Sequence, residues 1–164
     1  MQLSAGYGYL TQPIAVHGQR IEGYPSAHAT GRAITAPINV GTLACYDTAV
    51  QAEPRAIVAP ASSADVTTLE RVVGLVRWDA TYPEPPYRIN ALAPVMRKGR
   101  IAIVGETALL AGGVVFVRYA VGAVGTLLGS LRNDADGGNA VAAPYLTVIV
   151  GAPVGQPAVV EITL

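Results

Sequence analysis

Cysteine is almost missing from this chain of 164 residues: Cys45 stands alone. That excludes an intramolecular disulfide framework and fits a reducing compartment. Charge is scarce too, at 13% of residues against about a quarter in an ordinary domain. Eleven basic residues balance eleven acidic ones, giving a formal net charge of +0. No global field would draw the chain to nucleic acid or to an anionic membrane, so neither is expected as a partner. Sparse charge also suits a member of an assembly better than an isolated soluble monomer, because charge of one sign is what keeps small domains apart. Lysine is nearly lacking, Lys98 being the only one; every other basic residue is Arg, the cation that tolerates burial at contacts. Long apolar runs are missing as well. "LLAGGVVFVRYAVGAVGTLLG" is broken by Arg118 and five glycines, short of the roughly 20 residues of a membrane span. "MQLSAGYGYL" lacks the basic start and apolar stretch of a secretion signal, so synthesis in the cytoplasm is expected.

What is present points to strands. Hydrophobic residues make up 51% of the chain, with Gly 18 and Pro 12. Small β-compatible residues with many turn formers predict an all-β domain, and the length suits one domain, with or without an arm. Residues 1–30 mix Gly, Pro, Tyr, His and Gln without a sustained period, which reads as an extended N-terminal arm. The arm carries Tyr7, Tyr9 and Tyr24, amphipathic rings suited to being covered either by a partner or by the chain's own domain. From residue 31 short apolar runs recur every 8 to 12 residues or so, as in sandwiches and barrels. "RAIT", "NVGTLACY", "AIVA", "VVGLVRW", "IAIV", "VVFVRY", "YLTVIV" and "AVVEITL" are the predicted strands. In the last, Ala158, Val160, Ile162 and Leu164 share one face, predicting a core strand. "SSADVTTLERVV" reads as a loop running into a strand, although Ser63 or Asp65 would serve as a helix cap. Residues 79–95, with four prolines besides Tyr82 and Tyr87, read as an extended loop or edge.

The motifs of common chemistry fail one by one. "GSLRNDADGGNA", residues 129–140, is the most polar stretch and invites a calcium reading. With Gly137 at position 6 of an EF-hand loop, Asp134 and Asp136 fall correctly, but Arg132 takes position 1 and Ala143 position 12. A hairpin turn with local side-chain caps fits better, with an irregular weak ion site at Asp134 and Asp136 left open. His17, His28 and Cys45 have no zinc spacing, and there is no G-x-S-x-G elbow, phosphate loop or dinucleotide fingerprint. No catalytic residue, metal or cofactor is therefore expected, and the chain is not expected to be an enzyme. "RKGR", with Arg97, Lys98 and Arg100, is the one concentrated charge; it reads as a solvated turn or as a contact with an acidic surface.

Two segments carry a resemblance. "INALAPVMRKGRIAIVGE", residues 89–106, and "VFVRYAVGAVGTLLGSLRNDADGGNAVA", residues 115–142, followed by "AVVEITL", resemble the structural cement (capsid decoration) proteins of tailed bacteriophages. Members of that family commonly read V-x-x-K-G-R-I-x-V, then G-x-x-V-x-V-R, then L-G-x-F-R-x-D-A-D; here Leu131 stands in place of the Phe. The "GRAI" of residues 31–34 and the later "VVGLVRWD" are similar to further family segments. The resemblance spans residues 31–164, densest over 94–164, and does not cover 1–30. It implies an antiparallel jelly-roll-like β-sandwich on the exterior of the virion capsid, bound to the major capsid protein and to itself as a homodimer or homotrimer, bridging capsomers to stabilise the mature head. Tyr7, Tyr9, Tyr24, Tyr82, Tyr87, Arg97, Lys98 and Arg100 are the expected capsid or self contacts. A carbohydrate-binding β-sandwich is the alternative, since jelly rolls host lectins; against it stands the single Trp78.

Overall fold

A computed structural model describes residues 17–21, 23, 25–50, 53–79, 85–122 and 125–164. The strands are β1 (Ala27–Ala33), β2 (Leu43–Tyr46), β3 (Ala56–Val58), β4 (Val72–Val76), β5 (Leu92–Val104), β6 (Val114–Arg118), β7 (Leu131–Arg132), β8 (Ala140–Val150) and β9 (Pro157–Thr163). They pair in the order β1-β3-β2-β4-β5-β9-β8-β6-β7, and β1 also pairs with β5. The first five in that order therefore close into a ring, and the other four continue from β5 as an open antiparallel sheet. Among the described strands only β1 and β3 run parallel. Composition predicts the all-β class, and the chain adopts it. The finer jelly-roll description is not carried by this strand order, which is that of a closed ring continued by a sheet.

β5 joins the two parts. Its first half, Leu92–Lys98, pairs with β1, and its second half, Lys98–Val104, pairs with β9. The changeover falls at Gly99, whose φ of 127° is open to glycine and strained for other residues. By local pattern only "IAIV" reads as a strand here, because Pro94 and "RKGR" look like punctuation. Proline is tolerated at position 94 because its carbonyl accepts from Arg77 N–H at 2.8 Å while no donor is required of its nitrogen.

Side-chain alternation divides the interior. Leu43, Cys45, Val72, Leu75 and Met96 pack with Tyr145, Leu146 and Val148 of β8 and with Ala158, Val160 and Ile162 of β9. Ala44, Val73, Val76, Ala93 and Val95 point the other way, to a second cluster with Ile38, Ile57 and Tyr87. Each fully buried Val, Leu or Ile stabilises the fold by roughly 1.5–3 kcal/mol, so both faces of β4 hold the molecule together. The predicted core face of β9 is the one observed, with Glu161 and Thr163 on the other side.

Two local expectations change. "SSADVTT" forms a one-turn helix, α1 (Ser63–Thr67). Ser62 is the N-cap: Asp65 N–H donates to its hydroxyl at 3.3 Å and Asp65 Oδ2 accepts from Ser62 N–H at 2.9 Å. That reciprocal pair outweighs the weak helix propensity of the segment. The expected arm of residues 1–30 overlaps the folded part. Residues 27–30 belong to β1, and residues 18–21 run along β5, with Gly18 N–H donating to Ala102 O at 2.7 Å and Ile21 N–H to Arg100 O at 2.9 Å. Residues 1–16 lie outside the described residues.

Candidate functional site

The polar stretch at residues 129–140 is built around two buried arginines. Arg118 ends β6 and is 0% exposed. Its Nε donates to both carboxylate oxygens of Glu106 at 2.9 Å, and one terminal nitrogen lies 2.8 Å from Asp136 Oδ2. The other terminal nitrogen donates to Ala120 O at 3.0 Å, which pulls in the segment after β6. Arg132 ends β7, with Nε 2.8 Å from Asp134 Oδ1 and a terminal nitrogen 3.2 Å from both Glu106 and Asp136. Thr107 and Asn133 tie the same two loops together with hydrogen bonds of 2.9 Å.

Electrostatics explain why these charges survive burial. Desolvation works against the Arg118 cation, but the bonds to Glu106 and Asp136 more than offset it, so its proton is held more tightly than usual. The close contact with the Arg118 guanidinium, with the nearby charge of Arg132, holds the Asp136 carboxyl below the usual carboxylate range. Gly125 lies over the network: a Cβ there would fall 2.7 Å from both Arg118 and Glu106. Asp134 and Asp136 were expected as turn acids near Arg132. Both lie beside Arg132, Asp134 accepting also from Asp136 N–H at 3.0 Å; Asp136 in addition reaches across to Arg118 of the neighbouring strand. Asp134 Oδ1 and Asp136 Oδ2 face guanidinium groups, and no cluster of three or more His, Cys, Asp or Glu suited to a metal occurs among the described residues.

The expected contact residues scatter. Tyr7, Tyr9, Tyr24 and Tyr82 lie outside the described residues. Tyr87 requires a correction: it is 1% exposed, packs in the ring's core, and donates its hydroxyl proton to Arg77 O at 2.9 Å. Its ring is covered by its own chain and offers no surface to a partner. "RKGR" is not a turn but the middle of β5. Lys98 is exposed there, Arg97 is half-buried, and Arg100 makes a cross-strand ion pair of 2.6 Å with Glu161 of β9.

Sequence reasoning missed two features. His17 bridges three segments: its Nε2 donates to Val40 O at 2.8 Å, and its Nδ1 accepts from Val104 N–H at 2.9 Å. No periodicity signals this, because the three segments meet only in the fold. The second is a cleft of about 630 Å³ at the mouth of the ring, lined by residues of β1 and β3 together with Tyr46, Arg55, Arg77 and Asp79. The excess of Arg over Lys hinted at such contact chemistry without locating it.

No protein-family model and no curated protein matches the chain. Among solved structures it is similar to a chain of "The capsid of Myoviridae Phage XM1", with a TM-score of 0.68 and 14% identity, over 90% of this chain and 89% of that one. At that identity the likeness is one of fold: the ring and its flanking sheet are an architecture this chain shares, nearly end to end, with a protein of a phage capsid.

Proposed function

We propose that the chain is a structural protein of a tailed-phage virion, seated on the outer surface of the capsid and bridging neighbouring capsomers. The observation that carries this reading is the fold likeness to a chain of a phage capsid over nearly the whole of both chains. The cement-like motifs at residues 94–164 agree with it independently. One of them, "LGSLRNDAD", supplies Arg132, Asp134 and Asp136 of the buried network, so the motif has a structural reason to persist.

A shell stressed from inside opens first at its joints, and a clip across each joint adds contact area there. Many copies multiply a modest individual affinity. A specific contact needs roughly 1,000 Å² or more of buried surface. In this reading Arg97, Lys98 and Arg100 contribute from β5, with Tyr24 and Tyr82, and the arm tyrosines Tyr7 and Tyr9 reach the capsid subunit or a second copy of the chain.

The test is co-sedimentation with expanded heads that lack the subunit, followed by cryo-electron microscopy of the product. Saturable density on the exterior at the joints between capsomers is expected. Absence of binding, or density inside the shell, would overturn the reading. Deleting residues 1–16 separates the arm from the domain: unchanged occupancy would remove Tyr7 and Tyr9 from the contact.

A further inference from the structure

Among the described residues the ring's pairing is interrupted along β1. β1 pairs with β5 from Ala27 to Arg32, but with β3 only at Arg32 and Ala33. On the β3 side of residues 28–31 there is no strand among the described residues, and the cleft at the ring mouth opens there. His28, Ala29, Thr30 and Gly31 all line it. Successive side chains of a strand point to opposite faces, so a cleft bordered by four in a row runs along the strand's edge.

Backbone direction follows from neighbouring hydrogen bonds. Arg32 N–H donates to Arg55 O at 2.8 Å on the β3 side, and Ala33 N–H donates to Ala91 O at 3.2 Å on the opposite side. Alternation then turns the N–H and C=O of Thr30 toward the cleft. The partner of Thr30 on β5 is Pro94, which has no N–H and whose carbonyl is turned to Arg77 on the β4 side. Two arginines flank this edge. Neither Arg55 nor Arg77 has a side-chain hydrogen bond or ion pair among the described residues, and Arg77 Nε is buried without a partner. Ile57 and Val73 contribute apolar surface to the lining.

We infer that an extended segment of the capsid subunit, bearing a carboxylate side chain, adds as a strand to β1 at residues 28–31 and places that carboxylate against Arg55 and Arg77. The inference deepens the capsid-binding reading and rests on it. Main-chain bonds to an open edge supply affinity, and the charged side chain sets register. Swapped residues 1–16 of a second copy are the competing occupant. They contain no Asp or Glu and would leave both arginines unpaired.

The experiment measures binding of the full chain to expanded heads lacking the subunit, with R55E/R77E, T30P and L110E/V154E variants, each checked for an unchanged melting temperature. Leu110 and Val154 are exposed residues outside the cleft lining and serve as the control. R55E/R77E and T30P are expected to weaken binding by about tenfold or more, and L110E/V154E by less than about twofold. In the wild type, hydrogen exchange at Thr30 should slow by about tenfold or more when heads are bound. If T30P does not fold, that exchange measurement stands in its place. Wild type that binds while R55E/R77E binds as well, or while Thr30 exchange is unchanged, overturns this inference alone; wild type that does not bind overturns it together with the capsid reading. Loss of self-association instead of head binding in R55E/R77E would assign the edge to a second copy and also overturn it.

Discussion

The imidazole of His17 is held between a carbonyl and an amide, and that fixes its chemistry. A backbone N–H can only donate, so Nδ1, which faces Val104 N–H, must carry a lone pair, and Nε2 carries the proton given to Val40 O. Protonation of Nδ1 would set two donors against each other. Burial accordingly lowers the His17 pKa from its ordinary 6.5, the Val40 carbonyl opposing this only in part. Replacing His17 by alanine orphans one donor and one acceptor, each costing about 1–3 kcal/mol when cut off from water. The site is only half-buried, so water rescues part of this and a net loss of about 2–3 kcal/mol is expected, or roughly 4–12 °C in melting temperature for a domain of this size. The pH dependence has a definite sign. A group whose folded pKa lies below its unfolded one adds stability that is complete above about pH 6.5 and disappears as the pH falls through the folded value. Calorimetry of wild type, H17A and H17Q at about pH 8 and about pH 5 tests both halves. H17Q, whose amide carries one donor and one acceptor that do not titrate in this range, should recover part of the stability and show a weaker acid loss than wild type. An H17A protein melting within about 1 °C of wild type at about pH 8, or an acid loss identical in wild type and H17Q, would refute the reasoning.

Arg118→Leu should destabilise by about 3–5 kcal/mol, because it leaves Glu106 and Asp136 with half of their compensating charge; chemical denaturation reads this directly, and a loss below about 1 kcal/mol would show that the network is solvated. Gly74→Ala should lower the yield of folded protein and the melting temperature sharply, since φ is 145° and the new Cβ would collide with Met96 O on β5; a folded variant with unchanged stability would place β4 and β5 further apart than they are here. Cys45 donates to Asp65 O at 3.1 Å, and burial above all raises its thiol pKa to about 12. A thiol reagent at neutral pH should therefore label it only as fast as the protein unfolds, and rapid labelling of native protein would contradict that packing.

Much of the fold was legible in local pattern. β3, β4, β6 and β9 fall within or beside short apolar runs, because a half-buried strand writes its period directly into the chain. The two long strands were read only in their second halves. Pro94 and "RKGR" in β5, and Pro144 in β8, carry the local marks of loops, and nothing nearby says that a neighbouring strand asks no donor of a proline or that Gly99 is the bend between two pairings. Tyr87 sat among prolines and polar residues like a surface ring, yet the closed ring of strands gives it a covered site and a carbonyl partner. In the acidic stretch the sequence excluded an EF-hand by ligand position and predicted a turn near Arg132. Only tertiary structure could bring Arg118, Glu106 and Asp136 together, since their contacts join separate strands and loops.

The division has a physical cause. Sparse charge, one cysteine and period-two apolar runs are properties of single residues and their neighbours, and among these the apolar runs, with the turn formers, determined the all-β class. The closure of β1 on β5, the cleft along β1 that gathers Arg55 and Arg77, and the bridge made by His17 each require segments far apart in the chain to meet. Those were decided by packing, where hydrogen bonds and burial must be satisfied across the whole molecule at once.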